Sequence, residues 1–463
     1  MSSSFTTTTT TVPKTSCRVA LMGFGGRIIQ LLRELPAVLK EHHLPASSFA
    51  VAVIVDNNTE TVYQSLSRQD QDLMGIIGAD AVDVKEADEE QAYLTYGPFD
   101  MVLIASRNDK HFRSLQLASK YNCPVFCEKP LIYNIHDLPA LKEMQRASWV
   151  EKHDGSSPTF LTGLVLRYSP MSAIVMQHLP RIGDLRNVCG REAVDIGHAS
   201  QIIMSGWRRD QTISGGLGLE KAVHDYDLVL YWMERVFHHT PDHVDITSVG
   251  QRAVFWCEAR EKEIREKVES TPELKKAWDK WEHRTFQRTV SSPFAPNPDP
   301  IFESQLTRMM VSARSKEEAA VEPTVSFNFE VSTTGFRART ERWYHFEGSK
   351  GTVLIDVMNS KMYVDEENKW KNTNFMACDT LPTDLTCTEV IDLQGDGTSH
   401  AGGDRFVMQS IVQTCLGLPS KQQTKDDQRP LCTFAEMIRS TEIGLLVEKA
   451  TATQTNQYYA STN

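Results

Sequence analysis

The chain has 463 residues, 40% hydrophobic and 24% charged, a length beyond what one hydrophobic core usually serves, so two domains are predicted. Lys and Arg number 49 against 60 Asp and Glu, and the net charge of -11 repels phosphate backbones and acidic lipid, which argues against nucleic acid or a membrane surface as partner. No apolar run approaches the roughly 18 residues of a membrane span, and the nine cysteines are scattered without a CxxC pair, so a cytoplasmic protein with reduced thiols and no metal centre is expected.

The opening MSSSFTTTTTTVPKTS lacks an apolar core and any arginine, and residues 1–15 read as a disordered tail. From Cys17 short apolar runs alternate with helical stretches, the pattern of a parallel sheet with crossover helices. CRVALM is the first strand, and in GFGGRIIQLLREL the residues Ile28, Leu31, Leu32 and Leu35 form one helix face. FAVAVIVD (49–56), DMVLIAS and PVFCEKP read as further strands, with a helix starting near Asp109, and FLTGLVLRYSP closes the layer. An α/β dinucleotide-binding domain is therefore placed at 16–166.

From residue 167 the strands lengthen, and 167–455 is read as an α+β domain in which residues 324–357 supply several antiparallel strands, with Gly348 and Gly351 at a turn. Residues 258–322 read as a charged helical insertion. Within it, Thr271, Pro272 and Glu273 start a helix bearing Leu274, Trp278 and Trp281, and SSPFAPNPDP forms a loop; 456–463 is a tail.

A strand followed by Gly23, Phe24, Gly25 and Gly26 and then a helix aims a helix N-terminus at a pyrophosphate, with Ile28 where a third glycine often stands. Asp56 ends the second strand, where a carboxylate reaches a ribose 2′-hydroxyl, and Asn57 beside it offers no cation for a 2′-phosphate, so NAD is expected over NADP. Glu220, His224 and Asp227 in SGGLGLEKAVHDYDLVLYWMERV fall at i, i+4 and i+7, a polar stripe on an otherwise apolar helix. It reads as a histidine oriented by a carboxylate for proton transfer; metal ligation lacks a third ligand at suitable spacing.

Together GFGGRI, ASRNDKHF, EKP, RYSP, GWRRD, SGGLGLEKAVHDYD, FEGSKGTVLID and HAGGD resemble, in order and over nearly the whole chain, the Gfo/Idh/MocA oxidoreductases. The resemblance implies an N-terminal Rossmann domain and a C-terminal α+β domain whose large, open, mostly antiparallel sheet serves substrate binding and homo-oligomer formation. It implies that Lys129 of EKP lies beside nicotinamide and substrate, and that Glu220 and His224 stand where relatives carry an Asp-x-x-x-His pair. It assigns Gly23, Phe24, Gly25, Gly26, Arg27, Ile28, Asp56, Ser106, Arg107, Asn108, His111, Glu128, Trp207 and Arg208 to the cofactor, and Arg167, Tyr168 and Asp227, with Lys129 and His224, to the substrate. His400 and Asp404 either face the cleft or serve a helix start. Glu128 and Lys129 would sit at the C-terminal strand edge where doubly wound sheets bind ligands, with Pro130 stiffening the turn through a cis bond. The expected reaction passes hydride between a nicotinamide cofactor and a secondary hydroxyl of a sugar, sugar derivative or polyol, with His224 as general base, Glu220 orienting it and Lys129 bonding the same oxygen. Redox-assisted glycoside cleavage and a non-catalytic NAD-binding regulator are the alternatives.

Overall fold

A computed structural model describes residues 14–461 except 61–62, 64–70, 78–80, 148–158, 200–201, 203–205, 252–257, 283–301, 313–323, 334–336, 368–369, 371–386, 399 and 419–431. The opening tail up to residue 13 and the SSPFAPNPDP loop thus lie outside the described residues.

Six strands, β1 (Cys17–Met22), β2 (Phe49–Val55), β3 (Val82–Val84), β4 (Met101–Ile104), β5 (Val125–Cys127) and β6 (Phe160–Thr162), form a sheet in the order β3-β2-β1-β4-β5-β6. Every pairing is parallel. The order reverses at β1, which makes the crevice beyond its C-terminal end a ligand position. Helix α1 (Gly26–Leu32) buries Ile28, Ile29, Leu31 and Leu32, and α2 (Asn108–Lys120) crosses from β4 to β5.

The second sheet has nine strands: β7 (Leu185–Ala193), β8 (His243–Gln251), β9 (Ser304–Ser312), β10 (Val325–Ser332), β11 (Glu341–Gly348), β12 (Thr352–Asp356), β13 (Lys361–Asp365), β14 (Glu389–Asp392) and β15 (Gln457–Ala460). Their order is β14-β13-β12-β11-β7-β10-β9-β8-β15, antiparallel except between β7 and β10. In β9 and β10 buried residues alternate with more exposed ones, so one face packs and the other stays open. Helix α3 (Val223–Phe237) is buried from Val223 to Met233, and its Trp232 meets Tyr344 and Phe346 at ring-centroid distances of 5.6 and 5.8 Å.

Three boundaries differ from the sequence reading. The charged segment 258–322 is no detached insertion: α4 (Glu258–Ser270) and α5 (Pro272–Glu282) place Ile264, Val268, Leu274 and Ala277 in the C-terminal core, and β9 lies between β8 and β10. Surface charge on the helices hides the few apolar anchors. The 456–463 tail contains β15, which pairs with β8 from Gln457 to Ala460. The N-terminal unit is also not confined to 16–166. Helix α6 (Gly403–Leu416) contributes Val407, Met408, Ile411, Val412, Cys415 and Leu416 to the apolar cluster that holds Val19, Leu21, Ile28 and Leu32. The last helix, α7 (Phe434–Thr453), starts at a capping box between Thr433 and Glu436.

Candidate functional site

The glycine-rich turn joins β1 to α1. Gly23 takes φ +95°, and a Cβ there would lie 2.5 Å from the Ser106 backbone, so the turn can approach β4 only with glycine. Gly23→Ala is expected to cost about 1–3 kcal/mol of stability and to weaken NADH binding, read by thermal unfolding and by nucleotide fluorescence titration. At Gly25 and Gly26 a Cβ would meet nothing within 4 Å, leaving open space over the start of α1. Phe24 and Ile28 are buried; Phe24 meets the site through its backbone N–H, which donates to Asp56 Oδ2 at 2.8 Å. Asp56 Oδ1 accepts from the Asn58 N–H at 2.8 Å, so the carboxylate stands at the β2 end with its orientation fixed. Lys85 Nζ donates to the Asn57 carbonyl at 3.3 Å, a cation that reading Asp56 and Asn57 alone left out.

The loop after β4 and the EKP turn are tied together. His111 places its two ring nitrogens 2.7 Å from the Pro130 carbonyl and 3.0 Å from the Ser106 carbonyl. Burial lowers its pKa, and the two carbonyls oppose that. Ser106 Oγ is buried beside the glycine turn without a hydrogen-bond partner among the described residues. Arg107 is half exposed and folds onto Asp109 with bonds of 2.9 and 2.7 Å, away from the buried groups. Asn108 donates to the Ser214 carbonyl at 2.7 Å and to Glu220 Oε2 at 3.0 Å. The Lys129–Pro130 bond is cis. Glu128 is buried and accepts from Arg27 Nε at 2.6 Å, while Arg27 Nη1 donates to Asp404 Oδ1 at 2.6 Å.

Lys129, from the first sheet's domain, meets Glu220 in the turn that leads into the His224 helix of the second, and all three side chains are largely buried. Lys129 Nζ donates to the Glu220 carbonyl oxygen and lies 3.6 Å from Glu220 Oε2. Burial lowers the Lys129 pKa against the opposing pull of Glu220 and Glu128. Burial also takes His224 well below the ordinary imidazole value, and the charges on Lys129 and His400 push it the same way. His224 is therefore neutral near pH 7, in the form that accepts a proton.

Glu220 does not orient His224. Its carboxylate accepts from Arg208 Nε at 2.8 Å and from Asn108 and faces Lys129, and His224 Nδ1 has no hydrogen-bond partner among the described residues. Residues Gly218–Ala222 form a π turn, whose i→i+5 bonding rotates Glu220 off the i, i+4 line assumed for a regular helix. Burial raises the Glu220 pKa, yet Lys129, Arg208 and Asn108 outweigh it and hold the carboxyl at about 2. The Arg208 guanidinium also lies 4.6 Å from the Trp207 ring centroid, which fixes that pair beside the cleft.

The assignment of Arg167, Tyr168 and Asp227 to substrate is corrected. Arg167 Nε and Nη2 donate to Asp227 at 2.5 and 2.6 Å with both side chains sealed from solvent, and Ser440 Oγ donates to the same carboxylate at 2.6 Å. Tyr168 is buried in the apolar cluster of the N-terminal unit. Arg167 and Asp227 thus tie the hinge segment, residues 163–169 after β6, to α3 and α7.

Sequence reading missed a second buried polar group beside the cleft. Lys221 Nζ lies 3.0 Å from Glu192 Oε1, Arg342 lies 2.9 Å from Glu192 and 3.0 Å from Asp225, and Tyr344 donates to Asp225 at 2.6 Å. The available signal was a lysine and an extra aspartate inside a helix otherwise apolar all round.

Residues 17–150 match a family model described as an oxidoreductase family with an NAD-binding Rossmann fold. YteT of Bacillus subtilis (strain 168), whose oxidoreductase assignment is provisional, is 26% identical over 136 residues, 29% of this chain and 30% of that protein, so the match spans under a third of the curated relative's length. Solved structures resemble almost the whole chain. Levoglucosan dehydrogenase in complex with NADH and L-sorbose matches with TM-score 0.61 and 12% identity, over 96% of this chain and 98% of that one. Myo-inositol dehydrogenase from Corynebacterium glutamicum ATCC 13032 matches with TM-score 0.52 and 15% identity, over 96% and 100%. At such identities the likeness is one of fold.

Proposed function

The chain carries, over residues 17–150, the NAD-binding Rossmann fold of the Gfo/Idh/MocA oxidoreductases, and from that premise we propose that it transfers hydride between a nicotinamide cofactor and a secondary hydroxyl of a sugar, sugar derivative or polyol. The observation that supports this reading is the contact of the largely buried Lys129 with Glu220, in the turn before the His224 helix, close enough for its charge to act on His224. A dinucleotide fits the residues present: the open space over Gly25 and Gly26, the unpartnered Ser106 Oγ and the Asp56 carboxylate line one edge. Bound there, the nicotinamide supplies the hydride chemistry.

The chain's own groups manage the proton. His224, neutral and buried, takes the hydroxyl proton as the C–H bond breaks, and Lys129 hydrogen-bonds the same oxygen so that developing negative charge faces an ammonium. Glu220, held anionic by Arg208 and Asn108, keeps Lys129 in place. The proposed partners are a small-molecule substrate and a second copy of the chain; a homo-oligomer through the nine-stranded sheet is supported by its open face, where the cross-strand neighbours Val249 and Leu306 are 60% and 47% exposed.

Incubation with a panel of anhydrosugars, inositols, hexoses and their acids tests the reading through NADH absorbance. Net accumulation supports it; cleaved product without accumulated NADH points to redox-assisted cleavage and overturns it. NAD rather than NADP is the proposed cofactor, since Asp56 ends β2 with a carboxylate that would repel a 2′-phosphate, while Lys85 donates to the Asn57 carbonyl. NADH is expected to bind tighter than NADPH in a fluorescence titration, and Asp56→Ala to weaken NADH about ten- to hundredfold while leaving NADPH little changed.

A further inference from the structure

We propose that His400, held by Asp404, is a positioning residue that relays the substrate proton between His224 and solvent. The proposal rests on the role given to His224 above. The two imidazole rings come from distant segments, yet their centroids stand 5.8 Å apart at an interplanar angle of 49°, close enough for a proton to pass directly or through one water. Their exposure is graded: His224 is 5% exposed, whereas the His400 side chain is 22% exposed. Among the described residues His224 Nδ1 is buried with no hydrogen-bond partner.

The turn that carries His400 is built to hold it. His400 donates its N–H to Thr398 Oγ1 at 3.3 Å, and its carbonyl accepts from Gly403 at 2.9 Å. Ala401 and Gly402 follow with φ of 49° and 77°, and a Cβ on Gly403 would lie 2.3 Å from the Val165 carbonyl, so the turn is clamped against the hinge segment. His400 Nδ1 lies 3.0 Å from Asp404 Oδ2, and the same carboxylate accepts from Arg27 and from Gln30 Nε2 at 2.8 Å. Burial raises the Asp404 pKa, but Arg27 and His400 outweigh it and keep the carboxyl ionised. A carboxylate of that kind fixes the orientation of the ring.

The need for a relay comes from the surroundings of His224. An imidazolium formed there is desolvated and faces Lys129, Lys221 and Arg342, so it does not persist. In the oxidative direction the C–H hydride leaves for the cofactor, the O–H proton goes to His224, and from there to His400 and water, leaving a neutral carbonyl; the reverse reaction runs the proton inward.

His400→Ala, His400→Gln and His224→Ala are compared as full-length, NAD-saturated proteins with whichever panel compound the wild type turns over. The relay predicts that both His400 variants lose about tenfold or more in kcat with KM for NAD unchanged, and that added imidazole restores His400→Ala. Wild-type turnover in both, or a rise in KM for NAD without imidazole rescue, overturns the relay and leaves a purely structural turn. Should His400→Ala fail to fold, His400→Gln retains a donor for Asp404 and carries the kcat test. Wild-type activity in His224→Ala instead removes the reading of His224, a separate failure. Where no compound is turned over, nitrogen-15 spectra of the histidine rings with NADH bound decide: His400→Gln must move the His224 ring signals, and unmoved signals overturn the contact.

Discussion

Lys129→Ala is expected to lower turnover by about 10²–10⁴ while NADH still binds. The ammonium sits between the EKP turn and the π turn before α3, bonded to the Glu220 carbonyl and near its carboxylate. Alanine removes the cation facing the reacting oxygen, yet Glu220 keeps Arg208 and Asn108, so no isolated charge is left behind to unfold the site. Stopped-flow transfer of hydride, with nucleotide fluorescence as the binding control, checks it. Full hydride-transfer rates in the variant would remove Lys129 from the chemistry. Lys129→Arg is expected to fail as well, since its longer planar fork does not fit a position enclosed by Glu128, Glu220 and Pro130.

Arg167→Ala should act on stability rather than on substrate affinity. It leaves Asp227 sealed inside the protein with Ser440 as its remaining partner, and a broken buried pair costs about 3–5 kcal/mol. Urea and thermal unfolding measure the loss. An Arg167→Met, Asp227→Leu double variant should recover part of it, because the sealed pair is removed together, while Glu436 loses Arg167 at 3.2 Å and keeps Arg235 at 3.8 Å. If instead Arg167→Ala kept wild-type stability and raised only the KM for substrate, the structural assignment of this pair would be wrong.

The sequence displayed what local periodicity can encode. Alternation of apolar runs and helices from Cys17 to Thr162 announced the parallel sheet, and the residues flanking β1, β2 and β5 marked its crevice, because strand, turn and helix each leave a short-range signature. Lys129 and His224 stood out as candidates because a charged residue at the end of a buried strand, or inside a buried helix, conflicts with its surroundings unless a ligand or partner answers it. The π turn was not legible. Nothing in GLEKA distinguishes i→i+5 from i→i+4 bonding, and that one-residue difference moved Glu220 from His224 to Lys129. The ion pair of Arg27 with Asp404 joins positions 377 apart, and no periodicity reports such a contact. Strand β15 escaped for a different reason: four residues at a sheet edge alternate too briefly to stand out from a polar terminus.

Helix α6 closes the apolar cluster around β1 and α1 although nearly the whole second sheet precedes it in the chain. On the ribosome, therefore, the nucleotide-binding half emerges first but matures late: until Leu416 has left the exit tunnel, the surface around Val19 and Ile28 lacks its cover. Expression of the first 166 residues alone yields a truncated unit with that apolar surface laid bare, a hazard for aggregation that the chain escapes only once α6 has docked.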